Sequence, residues 1–206
     1  MKIVCVSDTH GSHHKMDIPE GDILIHAGDF SSRGKPKEII HFNNWLGRLP
    51  HRHKVVIAGN HDFLFEEQPE QAKALLSNAI YLEDNGIEIE GIKLWGSPIT
   101  PWFFDWAFNR HRGKDIQRYW DLIPEETDIL ITHGPPFGIL DQTIYGQQVG
   151  CEELLKAVLR VKPRIHLFGH IHEGYGSRES EDTYFVNASM MDVHYQPIHQ
   201  AVIIDW

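Results

Sequence analysis

Five short apolar runs recur along the chain, and each gives way at once to polar residues. They cover residues 3–6 (IVCV), 23–25 (ILI), 55–58 (VVIA), 129–131 (ILI) and 165–168 (IHLF). Near-continuous apolar and β-branched stretches of this length predict strands buried on both faces. Between them the apolar period lengthens. Over residues 35–49, Ile39, Phe42, Leu46 and Leu49 share one helical stripe, and over 150–161 Leu154, Leu155, Val158 and Leu159 do the same. Pro163 stops the second of these helices. Strand, helix, strand alternation implies parallel pairs covered by helices.

The middle and the end of the chain differ. Residues 87–95 (IEIEGIKLW) alternate in period two about Glu90-Gly91, which predicts a hairpin, and TYFVNAS and HQAVIIDW predict further strands near the end. Parallel strands, antiparallel strands and helices in one chain fit an α/β (α+β) fold with two sheets flanked by helices better than one doubly wound sheet. There is no internal repeat, linker or low-complexity tract, so residues 1–206 read as a single domain.

Composition changes this picture in three ways. A net charge of -10 argues against a surface that grips nucleic acid through its phosphates. Two cysteines, Cys5 and Cys151, no apolar run of membrane length and no signal-peptide pattern at the N-terminus read as a cytoplasmic chain with reduced thiols and no membrane partner. Fifteen histidines are the anomaly.

Their placement is informative. The five runs are followed by Ser7-Asp8-Thr9-His10, His26-Ala27-Gly28-Asp29, Gly59-Asn60-His61-Asp62, Thr132-His133-Gly134 and Gly169-His170-Ile171-His172. A loop histidine alone, or an aspartate after a strand, is ordinary turn and capping chemistry. Five such groups in succession, each at a strand end where ligands gather in α/β architectures, point to one site. Carboxylate, imidazole and amide oxygen are ligands of hard to borderline divalent metals. Asp8, His10, Asp29, Asn60, His133, His170 and His172 are too many for one ion and suit two ions sharing a carboxylate, the usual clamp for displacement at phosphorus.

Asp8-x-His10, Gly28-Asp29, Gly59-Asn60-His61-Asp62, His133 and Gly169-His170-x-His172 resemble, in order and over almost the whole chain, the signature of calcineurin-like metallophosphoesterases. GDFSSRG, THGPP and GHIHEGYG are similar to the small branch that includes the brain metallophosphoesterase-domain proteins and their bacterial relatives. The resemblance implies a four-layer αββα sandwich of two mixed sheets. It implies that Asp8, His10, Asp29 and His172 hold a first metal and Asp29, Asn60, His133 and His170 a second. Mn²⁺ is the expected metal, with Fe, Zn, Co or Ni as alternatives. It further implies that Asn60 and His61 contact the phosphate and that His61 protonates the leaving group. Phosphoprotein phosphatases carry Asp-Arg-Gly where this chain has Ser32-Arg33-Gly34, so the carboxylate that orients their catalytic histidine is missing. Asp62 is the available substitute. Arg33 is a phosphate contact or a solvated loop arginine.

The expected activity is hydrolysis of small phosphate esters, foremost phosphodiesters such as cyclic nucleotides. A nuclease and a nucleotide-binding module with little turnover are the alternatives. The aromatic segment 96–113 (GSPITPWFFDWAFNRHRG) precedes a helix and is a lid for a nucleobase or, the preferred reading, a core cover or subunit contact. His13 and His14 read as polar loop residues. Glu173 and Tyr175, just past the last motif, are candidate substrate or supporting contacts.

Overall fold

The computed structural model describes all residues from Met1 to Trp206. Its first half contains β1 (Lys2–Val6), β2 (Ile23–Ala27), α1 (Pro36–Leu46), β3 (His53–Ile57), α2 (Phe63–Glu67), α3 (Pro69–Leu75), β4 (Ile80–Tyr81), β5 (Asn85–Ile89) and β6 (Ile92–Ser97). The second half adds β7 (Thr100–Pro101), β8 (Asn109–Arg110), α4 (Lys114–Trp120), β9 (Ile129–Thr132), α5 (Glu152–Val161), β10 (Ile165–Phe168), β11 (Gly176–Glu179), β12 (Tyr184–Asn187) and β13 (Val202–Asp205). One sheet runs β13-β1-β2-β3-β4, all parallel apart from β13. The other runs β11-β12-β10-β9-β6-β5, with a parallel centre and antiparallel edges.

Alternation along the buried strands builds the layers. Ile3, Cys5, Ile23 and Ile25 of the first sheet pack against Ile129, Ile131, Ile165 and Leu167 of the second in one apolar cluster. Their neighbours Val4, Val6, Leu24 and Val56 belong instead with Ile39, Phe42 and Leu46 of α1, while Leu130 and Phe168 belong with Trp120 of α4 and Leu154 and Val158 of α5. Period two on strands buried on both faces thus creates a central core and two outer ones, the αββα sandwich. Each fully buried Leu, Ile or Phe adds about 1.5–3 kcal/mol.

Pro36 opens α1, and the Glu38 carboxylate caps it by accepting from the backbone N–H groups of Ser32 (3.0 Å) and Lys35 (2.9 Å). The helix stops before Gly47, short of the 35–49 pattern, and Leu49 is only partly buried. In α5 the Cys151 thiol sulfur accepts from the Leu154 N–H, and Leu154, Ala157, Val158 and Val161 form the buried stripe. Leu159, expected on that stripe, is exposed, because the 3.6-residue period places it beside the stripe on the solvent side. The hairpin forms as expected, with Glu90 and Gly91 both at positive φ between β5 and β6. Both cysteines are buried and free. No helix is long and apolar enough to cross a membrane.

Candidate metal centre

The loops after β1, β2 and β3 of one sheet and after β9 and β10 of the other meet at a single edge. Their backbone is unusual there: Asp8 (φ 53°), His10 (φ 41°), Asp29 (φ 55°) and His170 (φ 67°) all occupy the left-handed region. A non-glycine residue held there costs about 1–3 kcal/mol and persists only where its surroundings over-determine it. Here they do. Asp8 N–H donates to Gly28 O (3.0 Å) and His10 N–H to Asp29 O (2.9 Å), stitching the first loop to the second. Asp29 is gripped from both ends, its N–H donating to Asp62 Oδ2 (2.9 Å) and its Oδ1 accepting from the His61 N–H (2.8 Å). The neighbouring glycines are steric necessities: a Cβ on Gly59 would strike the Asp29 carboxylate, and one on Gly169 the Asp8 carboxylate.

Three groups of potential ligands result: Asp8 with His10 and His172, Asp29 with His133 and His170, and His10 with Asp29 and His61. His172 Nε2 lies 3.5 Å from Asp8 Oδ1 and 3.4 Å from His10 Nε2, and His10 Nε2 lies 3.8 Å from Asp29 Oδ2. On the other side of Asp29, His133 Nε2 is 3.2 Å from Oδ2 and 2.9 Å from Asn60 Oδ1. All seven ligand-type residues read from the sequence therefore gather around two carboxylates, and Asp29 stands between the two sets.

Electrostatics test whether these residues fit a metal. The Nδ1 atoms of His133 and His172 donate to backbone carbonyls, those of Ala27 (2.9 Å) and Asp192 (2.9 Å). That fixes the tautomer and aims the Nε2 lone pairs inward, the usual way a metal-binding imidazole is held. Each Nε2 then faces a carboxylate oxygen and, without a metal, carries a proton toward it that a bound cation would displace. Burial opposes charge on His133 and His172, yet the Asp29 and Asp8 carboxylates outweigh it and hold both near 9. Burial would raise Asp8 and Asp29, but His172 and His133 pull both carboxyls well below the ordinary range. Burial pushes His10 down to about 4 and His170 to about 3, leaving neutral imidazoles ready to ligate. The residues present fit a site for divalent cations.

His61 sits at the mouth of the centre. Its Nδ1 donates to Ser32 O (2.9 Å) and its ring lies against Trp106 (centroids 4.3 Å apart), so Nε2 is the free nitrogen, 4.0 Å from Asp29 Oδ2. Asp62 does not reach that ring. Its buried carboxylate is taken up by the N–H groups of Asp29, Ser31 and Gly59 and by the Ser31 hydroxyl (2.6 Å). Burial and the Asp29 charge raise it to about 7 against those hydrogen bonds. The reading of Asp62 as a substitute orienting acid is thus corrected: the Ser32 carbonyl occupies that place, and Asp62 braces the Asp29 loop.

A cleft of about 230 Å³ exposes His10, Asp29, Asn60, His61, His170 and His172, walled by Phe103, Trp106 and Tyr195. A second, of about 310 Å³, adjoins it across Phe103, His170 and Ile171 and is lined by neutral groups and Arg112. The aromatic segment divides accordingly. Ala107 and Phe108 enter the core, Trp106 covers His61, and Trp102, Phe103 and Phe104 are exposed. Arg33 lies over Trp106, 4.7 Å from its centroid. Tyr195, whose ring approaches those of His10 (4.9 Å) and His172 (5.3 Å), escaped sequence reading, since it stands in a stretch without periodicity. Glu173 accepts from the Ile144 N–H, and Tyr175 donates to Gln200 O and stacks on His199, so neither lines the cleft. His26 and His166 are buried and bond Thr9 Oγ1 (3.0 Å) and Thr132 Oγ1 (2.8 Å), threonines adjacent to the ligand candidates Asp8, His10 and His133.

A two-sheet sandwich whose strand ends collect such a donor set defines a metallophosphoesterase. The chain belongs to the calcineurin-like phosphoesterase family, whose model matches residues 1–174, and that family works with divalent metal ions. It is 46% identical to human metallophosphoesterase domain-containing protein 1 over 99% of this chain and 70% of that one. It is 25% identical to a probable cyclic nucleotide phosphodiesterase of Synechococcus over 75% of this chain and 59% of that one. Among solved structures it resembles the phosphopantetheinyl hydrolase of Mycobacterium tuberculosis, with a TM-score of 0.62 at 13% identity over 98% of this chain and 95% of that one.

Proposed function

We propose that this chain hydrolyses small phosphate esters, with phosphodiesters such as cyclic nucleotides the preferred class, at a centre of two divalent ions. The observation that carries the reading is the placement of Asp29 between the His10 side and the His133–His170 side of the site. Asp8, His10, Asp29 and His172 would hold one ion and Asp29, Asn60, His133 and His170 the other. Two such ions, Mn²⁺ foremost, would supply Lewis-acid polarisation of the phosphate and would make water nucleophilic near neutral pH.

The protein's own residues do the rest. With Nδ1–H engaged by the Ser32 carbonyl, His61 presents Nε2 to the cleft, where in its imidazolium form it would give the Nε2 proton to the departing alkoxide and be left as the neutral ring. Trp106 restricts the ring to that orientation. Arg33, stacked on Trp106, adds positive charge for a phosphate oxygen, and Asn60 faces the same space. The adjoining 310 Å³ cleft, largely uncharged, receives the organic part of the ester. The 25% identical cyanobacterial relative supports the diester class.

Metal-free protein assayed with bis(p-nitrophenyl) phosphate and p-nitrophenyl phosphate tests the reading. Added Mn²⁺ restores diester cleavage, with the monoester slower. Cleavage of neither with any divalent ion overturns the proposal in favour of a nucleotide-binding module. His61→Ala retains its metals and loses about 10²–10⁴-fold in rate, most for poor leaving groups.

A further inference from the structure

Ten histidines lie outside the centre described above, and three of them converge. His13 and His14 stand on a single helical turn (His13–Lys15) just beyond the His10 loop, and His41 projects from α1. One ring nitrogen from each lies within 4.8 Å of the other two, and His13 Nε2 is 2.9 Å from His41 Nδ1. Of the three, His13 is 1% exposed, packed against the rings of Phe42 (5.3 Å) and Trp45 (5.0 Å), while His14 and His41 are open to solvent. A buried inner imidazole with two solvent-exposed outer ones gives a fixed ligand and an entry path.

We infer that His13, His14 and His41 form a third metal site, separate from the phosphoesterase centre and selective for Zn²⁺, Ni²⁺ or Cu²⁺. Three imidazole nitrogens with no carboxylate among them favour these ions over Mn²⁺, Mg²⁺ and Ca²⁺. Burial, with His41 and His14 adding to it, pushes His13 down to about 3, so its ring stays neutral as a ligand must be. Three protein ligands leave a fourth position open, as in zinc sites that keep a water. His13 and His41 line a cleft of about 320 Å³ that runs past Ser12, Ser32, Lys37 and Glu38 to His10. An ion there fastens the loop that carries His10 to α1, whose first turn Ser32 already touches through Glu38. The inference stands on these three side chains and not on the proposed hydrolysis.

Equilibrium dialysis of metal-free protein against Zn²⁺, with the bound ion counted per chain, is the test. The wild-type chain takes up one equivalent more than the His14→Ala/His41→Ala double variant. Because both substituted side chains are exposed, the variant folds, as circular dichroism verifies, and keeps its Mn²⁺-supported hydrolysis. Single variants each weaken the extra equivalent at least about tenfold, as loss of one ligand in three requires. Ni²⁺ raises the thermal midpoint of the wild type above that of the double variant, and Mn²⁺ does not separate them. Equal zinc stoichiometry in the two proteins overturns the site, whatever the outcome of the phosphoesterase assay.

Discussion

The two sheets contribute different chemistry to one centre. The loops of the β1-β2-β3 sheet deliver both carboxylates, Asp8 and Asp29, together with Asn60, His10 and His61; those of β9 and β10 deliver only imidazoles, His133, His170 and His172. The anionic half is also the more strained, with three residues of positive φ against one. Neither half is complete without the other. His133 donates across to Ala27 of β2, and the His170 N–H donates back to the Asp8 carboxylate (3.0 Å). The sandwich thus ties its layers together through the site itself, and charge is placed where the backbone is most over-determined.

Removing the shared charge separates the halves most severely. Asp29→Asn loses more than about a hundredfold in turnover, since even partners that only support a ligand cost 10–100-fold. Metal analysis of that variant shows both ions weakened. A variant that keeps two tightly held ions sinks the bridging role. Single imidazole losses are milder and distinguishable. His172→Ala weakens the ion held with Asp8, and His170→Ala the ion held with Asp29, each leaving about one equivalent bound by equilibrium dialysis with Mn²⁺. Identical losses from both variants would mean that the centre is not divided as drawn.

Asp62→Asn attacks the brace and not the chemistry. Replacing one acceptor oxygen by an amide leaves buried N–H groups unmet and costs about 1–3 kcal/mol, read as a lower urea midpoint. An unchanged midpoint with slow turnover would return Asp62 to the catalytic pair. A pH-dependent effect concerns His166, pushed down to about 3 by burial in the second sheet. The folded ring stays neutral while the unfolded ring binds a proton below about 6.5, so its contribution is present above pH 6.5 and is lost progressively as pH falls toward 3. His166→Gln flattens that part of the stability profile measured by urea titration. An unaltered slope would assign acid sensitivity elsewhere, His26 in the first sheet being the counterpart.

Much of this was legible in the sequence because the strands are buried on both faces and announce themselves as apolar runs, with their ligands immediately after. The hairpin was legible from Glu90-Gly91. Short elements were not: α2, α3 and β4 lack a full period, and β11, mostly exposed, carries no apolar alternation. Leu159 misled because a leucine beside the stripe looks like one on it. In the site, residue type and position identified the seven ligand candidates, whereas Asp62, Trp106 and Tyr195 acquire their places only through tertiary packing. Asp62 illustrates the difference, since adjacency to His61 in sequence suggested a partnership that the turn geometry directs elsewhere.

Trp106 is the one ring through which the aromatic segment meets the His61 imidazole, while Trp102 and Phe104 are exposed and Ala107 and Phe108 anchor the segment in the core. Such a part is replaceable. Its anchor and its single point of contact can be kept while everything between them is rewritten in length and composition. Substrate range can therefore diverge among descendants of one ancestor, or be exchanged by grafting, without disturbing a single metal ligand.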